Sequence, residues 1–200
     1  MQILIQFYIN FTIKIINIKK ITKQTIKYFY NILKTIVGRI KMFNKCCELL
    51  AKEKIKIAFF ESASAGYLAY RFSLSPYSGD ILIGSLVSYD LRVKENTLHI
   101  SEELIEKYTA ESMQVTVEMI NKGKELLHAD LYVACTGLLK KGGSETPEKP
   151  VGTFFYSIYY KNNFYNFRRV LRGPAFLKLR KLIYYITQDI KLIILEDKRR

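Results

Sequence analysis

The stretch "AFFESASAGYLAYRF", residues 58–72, sets the reading of the whole chain. An apolar strand signal over residues 55–60 runs without a linker into Glu61, Ser62, Ser64 and Gly66, and then into apolar residues at helical spacing. Strand, short polar loop and helix in that order form half of a strand–helix–strand unit, the building block of a layered α/β sheet. The two serines admit two readings. Each has the side chain of a helix N-cap, and each places a hydroxyl at the sheet edge where ligands bind in open α/β folds.

On the N-terminal side of this stretch, "MFNKCCELLAKEK" from Met42 spaces Cys46, Leu49 and Leu50 as a helix over residues 42–53 does. On the C-terminal side, "DILIGSLVSYD" (80–90) reads as a second apolar strand, and "SEELIEKY" (101–108) as a helix capped by Ser101 with acids in its first turn. A further helix, with Thr109 as its cap, carries Met113, Val117, Ile120 and Leu127 on one face. "DLYVACTGLL" (130–139) is a third strand, and "KKGGSETPEKPVGT" is a loop shaped by glycine and proline. A hairpin over 153–160 and 166–172 turns at "KNNF", and a last helix covers 176–195. Strands separated by helices and closed by a hairpin predict a three-layer α/β/α domain with a mixed sheet.

Charge is divided unevenly. The net charge of +14 includes eight Lys and Arg within residues 1–41, which hold no acid, and leaves 24 basic against 18 acidic residues in 42–200. A mildly basic body does not require a polyanionic partner, so no nucleic acid is expected. Residues 1–41 are dominated by Ile, Lys, Asn, Phe, Tyr and Thr, with no clean period and no signal-peptide cleavage site. They form an extension with three open readings: a basic helix touching a membrane surface, an organelle-type presequence, or sequence ahead of a start at Met42. Residues 42–200 form the domain proper. Cys46, Cys47 and Cys135 are odd in number and accompanied by only two histidines, which fits neither a disulfide framework nor a zinc site. They read as core residues in a reducing cytoplasm.

Four loops follow predicted strands and gather the polar chemistry. They offer Glu61, Ser62, Ser64 and Gly66, then Tyr89 with Lys94, then Thr136 and Gly137, then Gly142, Gly143 and Ser144 through Lys149. His99 and His128 lie away from these loops, so a hydrolase made from these parts needs serine as nucleophile with lysine or tyrosine as base. Taken singly, each part has a plainer reading, as a cap, a strand-end aromatic, a solvated lysine or a turn.

In this order, "ESASAG", "YDLRVK", "TG" and "GGSETPEKPVGT" resemble the C-terminal domain of the CinA (competence/damage-inducible) family over residues 42–187 or so. That resemblance implies the family's α/β/α fold and hydrolysis of the carboxamide of nicotinamide mononucleotide to nicotinate mononucleotide and ammonia. It implies Ser62 as nucleophile, Lys94 as base and Tyr89 as a proton relay or as the group that orients Lys94. Glu61, Ser64, Gly66, Thr136, Gly137, Gly142, Gly143 and Lys149 would hold the substrate. No metal or organic cofactor is called for, and a homo-oligomer is expected.

Several positions depart from the family pattern. Ala63 stands for its cysteine, Ala65 for the first of two glycines, and Leu91 for an asparagine. Thr109-Ala110-Glu111 replaces Val-Ser-Glu, Leu138-Leu139-Lys140-Lys141 replaces Ile-Ala-Gly-Pro, and a late arginine is missing unless Arg172 or Lys178 substitutes. These changes keep open a second reading, a catalytically silent nucleotide-binding module.

Overall fold

The structure is a computed structural model and describes residues 23–199. Two compact units divide the chain, residues 1–41 and 42–200. In the first unit, residues 1–22 of the basic extension lie outside the described residues, and 23–41 are helical. This helix, α1 (Lys23–Lys52), begins earlier than the helix expected over residues 42–53. No helix among the described residues is long and apolar enough to cross a membrane.

The second unit is a five-stranded mixed sheet in the order β2-β1-β3-β4-β5. β1 (Ile57–Glu61) is parallel to both β2 (Leu82–Val87) and β3 (Leu131–Gly137). β4 (Thr153–Tyr160) runs antiparallel to β3 and to β5 (Asn163–Val170). Lys161 and Asn162 link β4 to β5 with φ of 47° and 62°. Two consecutive positive φ values are the mark of the tight hairpin turn whose twist matches its strands.

Period-two alternation divides the core. Ile57 and Phe59 point to one side of β1, where they join Cys46, Leu50, Phe72, Ile186 and Ile190. Ala58 and Phe60 point to the other, against Val115, Met119 and Ile120. The first side is covered by residues 42–52 of α1, by α2 (Tyr67–Ser73) and by α7 (Ala175–Asp197); the second is covered by α5 (Glu102–Tyr108) and α6 (Met113–Gly123). Each buried Phe or Ile contributes about 1.5–3 kcal/mol. The expected α/β/α layering is therefore present. All three cysteines are buried, and burial pushes the Cys47 thiol up to about 11.

Two short helices were not anticipated. α3 (Ser78–Ile81) takes the start of the expected second strand, and α4 (Leu91–Asn96) places Lys94 on a helix rather than in a loop. Ser101 caps α5 as expected, accepting from Leu104 N. The cap of α6, however, is Ser112, which accepts from Val115 N, and not Thr109.

Candidate active site

The loop after β1 is held from behind. Glu61 is fully buried, and its carboxylate accepts from the amides of Leu68 (3.0 Å) and Ala69 (2.9 Å) at the start of α2 and from Ser85 Oγ (3.1 Å) on β2. A carboxylate is favoured there because it meets free N–H groups and the positive end of the helix. The N-cap position itself is Gly66, with no side-chain cap, so neither Ser62 nor Ser64 caps the helix. Between strand and helix the backbone turns through Ala65 (φ 49°) and Gly66 (φ 90°), both left-handed. Ser62, directly after β1 and before this reversal, stands at the mouth of the sheet.

α4 supplies the partner. Asp90 caps it by accepting from Arg92 N at 2.9 Å, and the Arg92 guanidinium holds the Asp90 carboxyl well below the usual range. Lys94 then points inward, 1% exposed, donating to Ser62 Oγ at 3.1 Å and to the carbonyl of Ser88. Burial pushes the Lys94 pKa down, while the carboxylates of Glu111 and Asp90 draw it partly back.

Ser62 and Lys94 open into a cleft of about 310 Å³, together with Tyr89, Leu91, Thr109, Glu111, Gly143 and Ser144. Tyr89, at the edge of the cleft, is 58% exposed. The far wall is a hydrogen-bonded lattice. Lys149 Nζ donates to Thr109 Oγ1 (2.6 Å), Ser144 Oγ (2.7 Å) and the Glu111 carbonyl (3.2 Å), and Ser144 Oγ donates to Glu111 Oε2 (2.5 Å). Thr109 sits at φ 69°, ψ 157°, a region almost reserved for glycine, so this wall stores backbone strain. Ser144 was named only as part of a polar loop, without a role, and Glu111 was not among the candidate residues. Glu111 was legible as the acid of the Thr-Ala-Glu run, but nothing in the sequence showed that it faces Lys94 across a cleft.

The structure thus brings Ser62, Tyr89, Lys94 and Gly143 to one place, and assigns the other candidates different contacts. Glu61 braces the turn and does not line the cleft. Ser64 is buried, its Oγ without a nitrogen or oxygen partner among the described residues and beside the Cys135 thiol. Gly66 makes the turn. Thr136 faces α6, sharing a hydrogen bond with Thr116 Oγ1 at 2.8 Å. Gly137 is a packing glycine, since a Cβ there would lie 2.7 Å from both Phe154 Cδ1 and the Thr153 carbonyl. The amides of Gly142 and Gly143 are taken by the Glu145 carboxylate at 3.0 and 2.8 Å, which lowers its pKa. Lys149 is committed to the wall. Lys178 gives its ammonium to the Leu139 carbonyl at 2.7 Å and does not replace an arginine in the cleft. A larger, shallow depression of about 420 Å³ lies at the other end of the sheet, by Ile55, Asp130 and Tyr160, and contains no candidate nucleophile.

A model of the CinA C-terminal domain matches residues 39–178. The chain belongs to the CinA family. A CinA-like protein of Thermotoga neapolitana is 33% identical over 146 residues, 73% of this chain and 34% of that protein. A CinA-like protein of Fusobacterium nucleatum is 32% identical over 185 residues, 90% of this chain and 45% of its own. The chain therefore spans a third to somewhat under half the length of these curated CinA relatives. Among solved structures, a CinA superfamily protein from Escherichia coli superposes with a TM-score of 0.70 at 21% identity, covering 76% of this chain and 88% of that one. A competence damage-inducible protein from Klebsiella pneumoniae gives 0.71 at 19% identity, covering 76% and 94%. At such identities these likenesses establish the CinA fold.

Proposed function

We propose that this CinA domain is an amidohydrolase that converts nicotinamide mononucleotide to nicotinate mononucleotide and ammonia. The observation that carries the reading is the contact between the amine of buried Lys94 and the hydroxyl of Ser62. An unactivated amide needs a nucleophile whose proton is removed as it attacks. Burial favours the neutral amine, the form that accepts the Ser62 proton. Ser62 Oγ then adds to the carboxamide carbon. The protonated Lys94 returns its proton to the departing nitrogen as the carbon–nitrogen bond breaks, releasing ammonia and leaving an ester on Ser62. Water, deprotonated by Lys94, hydrolyses that ester and restores the serine.

The tetrahedral oxyanion needs donors already in place. The amide N–H of Ala63, next in the chain to the nucleophile, donates to no group among the described residues and is assigned this role. Tyr89 at the cleft edge would cover the pyridinium ring, a cation–π contact suited to its charge. Purified full-length protein should release ammonia and nicotinate mononucleotide in equal amounts from the nucleotide.

One observation favours the second reading. Leu91, which lines the cleft, offers a hydrocarbon where the family pattern carries an amide. Calorimetric binding of the nucleotide with no ammonia produced would select a silent nucleotide-binding module.

A further inference from the structure

The reaction proposed above makes no use of the helical part of the basic extension. Residues 1–41 as a whole show no clean period, but residues 23–41, helical within α1, contain one. Successive residues of an α-helix are turned by about 100°. Ile26, Phe29, Tyr30, Leu33, Val37 and Ile40 therefore share one arc of about 100°. Each is exposed, from 38% to 63%. Together they form an apolar stripe roughly 20 Å long, at about 1.5 Å per residue.

Charge borders this stripe. Lys23, Lys27, Lys34 and Lys41, all exposed, stand in a narrower row along one side of it, within about 40° of one another. Residues 1–41 contain no acid, so the extension offers these lysines no carboxylate side chain. Contiguous apolar surface left in water beside a single sign of charge marks a contact face.

We propose that residues 23–41 lie along an anionic lipid surface, with the apolar stripe toward the acyl chains and the lysine row among the phosphates. This is the geometry of an interfacial amphipathic helix. The lysine stems extend the apolar surface while their ammonium groups reach the headgroup level. No described helix is long and apolar enough to cross a membrane, so the helix rests on the surface rather than spanning it. Charge argues against other occupants. A second copy of the stripe would bring its own lysine row and no acid to answer it. Nucleic acid would take the lysines but leave six apolar side chains in water. Only an anionic bilayer satisfies both features. The inference stands on residues 23–41 and does not depend on the reaction at Ser62.

The test is co-sedimentation of the full chain with vesicles of mixed phosphatidylcholine and phosphatidylglycerol, set against phosphatidylcholine alone. Binding to the anionic vesicles should be at least about tenfold stronger and should weaken as salt is raised. Leu33→Gln and, separately, Val37→Gln should each lower it by about tenfold. Lys27→Gln and Lys34→Gln should each lower it by about fivefold. Thr35→Ala, on the opposite side of the helix, should leave it unchanged. Circular dichroism establishes that each variant is folded. The chain has no tryptophan, so Phe29→Trp supplies a single reporter whose emission should shift to the blue when anionic vesicles are added. Failure to bind anionic vesicles would overturn the proposal, and so would binding indifferent to both Leu33→Gln and Val37→Gln, which attraction by net charge alone would give. A Phe29→Trp emission already blue before lipid is added, or shifted by duplex DNA instead of lipid, would overturn it equally.

Discussion

Lys94 Nζ lies 3.1 Å from Ser62 Oγ across 32 residues of chain, because β1 and β2 are adjacent and each ends at the same edge of the sheet. Glu61 fixes one partner by anchoring the turn before α2, and the short helix α4 delivers the other. The pair is a consequence of topology. Neither residue is special on its own.

The depressed pKa of Lys94 sets a pH dependence. The rate should rise with pH as Lys94 loses its proton, and the midpoint of that limb should fall below the ordinary lysine value of 10.5. Stability follows the same sign. Between the lowered folded value and the ordinary unfolded one, the unfolded chain binds more protons, so stability climbs as pH rises through that window and levels off above it. In Lys94→Met this climb should disappear from urea midpoints measured against pH, and ammonia release should be lost at every pH.

Glu61→Gln tests the brace behind the nucleophile. A glutamine cannot accept from the two amides and Ser85 without turning its own N–H₂ toward a donor. A buried group left unpaired costs about 1–3 kcal/mol. The denaturation midpoint should fall accordingly, and kcat should fall with it because Ser62 leaves its position.

At Ala65 the expected change is a gain. Its φ of 49° is left-handed, where a Cβ costs roughly 1–2 kcal/mol relative to glycine. Part of that is returned through the greater freedom of glycine in the unfolded chain. Ala65→Gly should therefore raise stability by about 0.5–1 kcal/mol in chemical denaturation.

Gly137 separates packing from ligand binding. A methyl group there meets Phe154 and the Thr153 carbonyl at 2.7 Å, and overpacking of this kind costs about 1–3 kcal/mol. Gly137→Ala should lower the melting temperature while the folded protein keeps its KM.

Period and order made the sheet and its layers readable, since alternation marks strands, while Ser62, Tyr89 and Lys94 were singled out as a set by the family resemblance of the loops that carry them. What stayed hidden depends on direction rather than position. Glu61, Thr136 and Gly137 stand at the C-terminal ends of strands where ligand residues gather, yet their groups turn to α2, α6 and β4. No single-residue signal tells a carboxylate serving helix amides from one serving substrate. The roles of Glu111 and Ser144 were hidden for the converse reason, because they approach the cleft from the far wall, held there by Lys149 across 38 and 5 residues of chain. α4 was concealed by its brevity, six residues carrying no usable period.

The most direct measurement is ammonia release from nicotinamide mononucleotide by the full chain and by Ser62→Ala, with circular dichroism to show that both are folded. Release by wild type and its loss by at least about a thousandfold in the variant is the expected result. An alanine variant that still releases ammonia at the wild-type rate would contradict the Ser62–Lys94 mechanism.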